Sequence, residues 1–151
     1  MATEAGTLKE LIKTLEDGRD GFAKAAKRLE GNSAPDVSVR FREFSAQRGA
    51  MADALRTYGE SKGYNEPDSG TVAGAVHRGW IAVKDALTGD DPTAVIAAAE
   101  QGEDHAKSKF NDALSDSSLS PEARSLVQQA AQQVKAAHDY VSSLKKAAKA
   151  R

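Results

Sequence analysis

Residues Ser33 to Lys62, SAPDVSVRFREFSAQRGAMADALRTYGESK, decide the fold. Val37, Phe41, Phe44, position 48, Met51, Leu55 and Tyr58 follow one another at alternating intervals of four and three, the spacing that lines a single buried stripe of an α-helix. Position 48 in that stripe is Arg48. Gly31 and Asn32 stop whatever precedes, Ser33 to Asp36 supply N-cap candidates with Pro35 early in the turn, and the helix is expected to run to about Lys62. A helix this long with one apolar face must lay that face on other helices, and an arginine in the middle of the face requires a partner inside the bundle.

The rest of the chain supplies those helices. Upstream, Leu8, Leu15, Phe22 and Leu29 recur every seven residues, with Leu11, Ile12, Ala25 and Ala26 between them, as in a bundle helix. Gly18 and Gly21 lie inside this helix and let a neighbour approach closely, while Asp17 and Asp20 are expected to point mostly outward. Downstream, Gly63 to Gly70 reads as a loop, and Val72, Val76, Trp80, Val83 and Leu87 make a short amphipathic helix. Gly89 to Pro92 ends it and opens the third long helix, which reaches about Leu114. There Ile96 and Phe110 share a heptad position with Glu103 between them, so a carboxylate also sits in mid-seam. Ser120 and Pro121 open the last helix, with the stripe Ala123, Val127, Ala130, Val134, Ala137, Val141 and Leu144. It frays into a basic tail over 145–151. No strand alternation and no short repeat is present.

Composition agrees. A chain of 151 residues suits one domain, taken as 1–151. Hydrophobic residues make up 40% of it and aromatics only 5%, so the core comes from closely approaching small side chains, which suits packed helices. Lys plus Arg (21) nearly cancel Asp plus Glu (22), so no overall field favours nucleic acid or an anionic membrane. The lysines and arginine of 145–151 are already favoured by the dipole at a helix C-terminus. With no cysteine, thiol catalysis, thiolate ligands and disulfides are excluded. The sequence shows no signal-like start and no apolar run of membrane-spanning length, and a cytoplasmic location is the expectation.

Arg48 and Glu103, each near the middle of its helix, are expected to neutralise one another inside the bundle. Glu100, Glu103, Asp104 and His105 form an acidic cluster with a histidine. Glu100 and Asp104 share a face, Glu103 turns toward the core, and His138 flanks the stripe of the last helix. In the connector, His77, Arg78, Gly79 and Trp80 read first as a docking motif: Trp80 plugs the short helix onto the bundle and Gly79 permits close contact. A ligand pocket with the indole as stacking surface is the second reading. No phosphate-binding glycine loop, nucleophile elbow or zinc-binding His-Glu-x-x-His occurs.

Gly70, Thr71, Gly74, His77, Arg78, Gly79, Trp80 and Lys84, with Glu100, Gly102, Glu103, Asp104, His138 and Asp139, make the chain resemble a bacterial ferritin-like four-helix-bundle family catalogued as domain of unknown function 2383. The resemblance implies an all-α, ferritin-like bundle with a short crossover helix between the second and third long helices, and an association with stress responses. It brings no established reaction. Ferritin-like bundles can hold iron or manganese with one carboxylate from each of two helices and Glu-x-x-His from the other two. Here the second helix offers Arg48 to Met51 and the last offers Lys135 to His138, so one ligand of those four remains. The first expectation is therefore a non-catalytic bundle without cofactor, acting in a homo-oligomer or with a protein partner. The alternative is an iron- or manganese-binding oxidase or storage protein using Glu100, Glu103, Asp104 and His138, and catalysis enters only through that metal.

Overall fold

The computed structural model describes residues 3–31, 35–64 and 92–149. They form four α-helices: α1 (Glu4–Gly31), α2 (Pro35–Ser61), α3 (Pro92–Leu114) and α4 (Pro121–Lys149). No strand occurs among the described residues. The short connector helix expected around Trp80, and with it His77, Arg78 and Gly79, lies outside them.

Each boundary has a local chemical cause. Thr3 caps α1, its Oγ1 accepting from the Gly6 amide at 3.0 Å. Pro35, Pro92 and Pro121 each occupy the first helical position, where no backbone N–H is needed. Ser120 caps α4 by accepting from the Ala123 amide. At the end of α2, Gly63 takes φ +75°. This lets the Tyr64 amide donate to the Gly59 carbonyl and the Gly63 amide to that of Glu60, both otherwise unmet at the helix terminus. Arg124 reaches back to the carbonyls of Leu114 and Asp116 beyond the end of α3.

The core is divided in two. In one half Leu8, Leu11 and Leu15 of α1 meet Leu55 and Tyr58 of α2, Phe110 of α3 and Val127 of α4. In the other, Phe22 and Leu29 of α1 meet Phe41 and Phe44 of α2, Val95 of α3 and Val141 of α4. Thus α1 and α4 run from the first half to the second, and α2 and α3 run back. The packed neighbours are α1 with α2, α3 with α4, α1 with α3 and α2 with α4, which places α1 opposite α4 and α2 opposite α3. Neighbours are antiparallel and diagonal partners parallel. Since α2 ends where α3 also ends, the chain between Tyr64 and Pro92 joins opposite ends of the bundle, roughly 40 Å apart for helices of this length.

The heptad stripe of α1 is buried as its spacing requires, with Leu8, Leu15, Phe22 and Leu29 all within 2% exposure. On α2 the seam lies slightly rotated: Phe41, Phe44, Arg48, Leu55 and Tyr58 are buried, but Ser38 and Ala52 are buried while Val37 and Met51 are half-buried. Ser38 owes its place to the carbonyl of Ala26, to which its hydroxyl donates at 2.6 Å, and Ser45 binds the Arg19 carbonyl similarly. Two small hydroxyl side chains thereby fasten α2 to α1. Asp17, expected to point outward, is instead buried, with Lys13 one turn earlier lying across it at 3.4 Å. Its neighbour Asp20 is exposed as expected. Helix α4 continues through Lys149, so the start of the expected frayed tail is helical.

Candidate functional site

At the plane between the two core halves stands a charged layer. Arg48 of α2 and Glu103 of α3 are 1% and 0% exposed, and Arg48 Nη2 donates to Glu103 Oε2 at 2.5 Å. These helices face each other across the bundle diagonal, so only a long side chain can close the gap, and arginine supplies that reach. Its passage depends on α1. A Cβ on Gly18 would lie 2.6 Å from Arg48 Nη1 and 3.6 Å from its Cδ, so the missing side chain of Gly18 is the space the guanidinium occupies. The Phe22 ring, 5.2 Å from Arg48 Cζ, offers its negative face to the same cation.

The pair is close but incompletely bonded. Arg48 Nη1 and Glu103 Oε1 are buried without a hydrogen-bond partner among the described residues. Burial pushes the Glu103 carboxyl above its ordinary value, against the downward pull of Arg48 and, more weakly, of His138. A single hydrogen bond between two desolvated ions does not fully replace their hydration.

Outside this layer Asp104 and Glu100 meet basic side chains of α4. His138 Nε2 and Asp104 Oδ1 are 2.5 Å apart, and His138 Nδ1 is 3.5 Å from Asp139. Glu100 accepts from Lys145 at 2.7 Å; that bond holds its carboxyl low and raises the Lys145 ammonium. Of the four metal-ligand candidates, Asp104 and His138 are therefore brought together, while Glu103 is directed inward to Arg48 and Glu100 along α4 to Lys145. Among the described residues no three His, Asp or Glu side chains converge as ligands for one metal ion. With an arginine against the central carboxylate, the described residues do not fit a dinuclear centre.

A second polar cluster closes the end of the bundle where α1 begins. Glu4 Oε1 accepts from the Ser120 amide at 2.7 Å, and Glu4 Oε2 accepts from Tyr64 at 2.5 Å and Tyr58 at 3.2 Å. One carboxylate thereby ties together the start of α1, the end of α2 and the start of α4. Burial acts to raise its pKa, but these hydrogen bonds outweigh it and hold the Glu4 carboxyl below the usual value. The same contact pushes Tyr64 up to about 12. Nearby, Thr7 donates to Asp116 at 2.7 Å. Sequence reading passed over this cluster, because nothing local to Glu4 signals partners 54 to 116 positions away. It also gave Gly18 only a general role in close approach.

Fold and centre together define a helical-bundle protein with a charged midline. The chain belongs to the family described as Domain of unknown function (DUF2383), whose model matches residues 3–116. That match takes in α1 to α3 with Arg48 and Glu103, and stops before α4. No curated protein and no solved structure matches the chain. No helix of the described residues is long and apolar enough to cross a membrane.

Proposed function

We propose that the chain is a ferritin-like bundle in which an arginine–carboxylate pair stands in place of a metal centre, and that it acts without catalysis as a stress-associated protein-interaction module. The observation that carries this reading is the 2.5 Å contact between Arg48 and Glu103 at the crossing of the four helices. A fixed guanidinium there repels a divalent cation at short range in a medium of low polarity, where Coulomb energies are several times those in water. The ferritin-like assignment is supported by the parallel, diagonal placement of α2 and α3, the arrangement of helices that such bundles join by a long connection. A bacterial, cytoplasmic setting and self-association or a protein partner belong to the same proposal.

The second reading, an iron- or manganese-binding oxidase or storage protein, draws on one observation: Asp104 and His138 already place an oxygen and a nitrogen donor together. Metal analysis of protein purified without chelator, followed by anaerobic ferrous titration and exposure to oxygen, separates the two. Substoichiometric metal and no oxidation above the buffer rate are expected. Stoichiometric binding with turnover overturns the first reading and establishes the second.

A further inference from the structure

Between α3 and α4 a groove of about 480 Å³ opens to solvent. Its floor is apolar: Phe110 and Val134, both 1% exposed, with the half-buried Leu114 and Ala131. Its rim carries Lys107 and Lys135, with amide side chains between, and no carboxylate lines it. Lys135 is held by Asp139 at 2.9 Å, whereas Lys107 makes no ion pair among the described residues. A volume of this size falls in the range of small-molecule sites, which combine an apolar floor with a few polar groups that orient the ligand.

We propose that this groove binds an amphipathic monoanion, an aliphatic carboxylate of medium chain length, with its tail on Phe110, Leu114, Ala131 and Val134 and its head group on Lys107. The dimensions select a small molecule over a partner helix. The lining spans eight residues on each helix, about 10 Å of axis, too short for the several turns a docked helix needs. The charge selects the head group, because an unpaired lysine beside an apolar floor rewards an anion and penalises a cation. This site is independent of the Arg48–Glu103 layer and of the interaction role proposed above.

The test is calorimetric titration of the full chain with decanoate, decanol and decyltrimethylammonium, with amide chemical shifts followed in parallel. Decanoate is expected to bind at least about tenfold more tightly than the other two, a gap of about 1.4 kcal/mol, and to perturb the amides of Asn111, Gln128 and Gln132. Lys107→Gln is expected to weaken decanoate about tenfold and leave decanol unchanged. Ala131→Phe, which fills the groove from a half-exposed position, is expected to abolish binding at an unchanged circular dichroism spectrum. Equal affinity for the three ligands, no binding at all, shifts centred elsewhere, or full affinity in a folded Ala131→Phe protein would each overturn the proposal.

Discussion

Gly18 and Arg48 compete for one volume: a methyl group on the glycine would stand 2.6 Å from the guanidinium Nη1. In most helix interiors Gly→Ala is favourable by about 1 kcal/mol. Here the alanine must displace the end of a side chain that is 1% exposed, and overpacking of a core costs about 1–3 kcal/mol. Gly18→Ala is therefore expected to lower stability by about 1 kcal/mol in denaturant unfolding, with the propensity gain set against the overpacking cost. In an Arg48→Leu, Glu103→Leu background the same change is expected to be neutral or stabilising. A stabilising effect in the parent protein would show that the guanidinium is not confined.

Removing one ion strands the other. Arg48→Leu is expected to cost about 3–5 kcal/mol, because Glu103 is left as a buried charge, whereas Arg48→Leu with Glu103→Leu costs much less. A double-mutant cycle by urea unfolding measures the coupling. Equal and additive losses would mean that the two residues do not act as a pair.

The stranded carboxylate has one escape, which is to take up a proton. Burial already raises the Glu103 carboxyl in the parent, so its folded value lies above its unfolded one. For such a group the folded state binds the proton more tightly, and its contribution is present below the unfolded pKa and lost as pH rises through the folded pKa. Without Arg48 the upward push is larger. The cost of Arg48→Leu is therefore expected to shrink as pH falls through the raised folded value of Glu103, as followed by thermal unfolding at each pH. A cost independent of pH would place Glu103 in contact with water or another cation.

Glu4 has the opposite sign. Its folded value is below the unfolded one, so it contributes stability above the unfolded pKa and loses it as pH falls through the folded pKa. Glu4→Gln is expected to lower Tm at pH 7, by a deficit that shrinks as pH falls through the lowered folded value of the parent carboxyl. A deficit that does not change with pH would locate its cause in packing instead of charge.

Tyr64 reports on the same contact. With its hydroxyl bonded to Glu4, it is expected to ionise at about 12 in a spectrophotometric titration, and Glu4→Gln should return it toward the ordinary tyrosine value. An unchanged titration in the variant would break the link between the two.

What could be read along the chain was whatever a single helix reveals about itself. The four-and-three spacing through Phe41, Phe44, Arg48 and Leu55 fixed the buried face of α2, and the interval from Ile96 through Glu103 to Phe110 fixed that of α3. Two charged residues at core positions near the middle of their helices imply one another, because an unpaired buried ion is too costly. The proline positions marked the starts of α2, α3 and α4 for an equally local reason. Errors began where a second helix decides. Asp17 lies at the edge of the stripe, and Ser38 replaces Val37 in the seam because the Ala26 carbonyl accepts its hydroxyl.

The sequence by itself determined four amphipathic helices with an arginine and a glutamate in their seams. Periodicity and the cost of burying charge are properties of each segment alone. Only the tertiary structure decided that α2 and α3 stand on a diagonal and that Gly18 is the space in which Arg48 lies. It also decided that Glu4 gathers Tyr58, Tyr64 and Ser120, and that α3 and α4 leave a groove beside Lys107. Each of these depends on distances between helices far apart in the chain, which no spacing within one helix encodes.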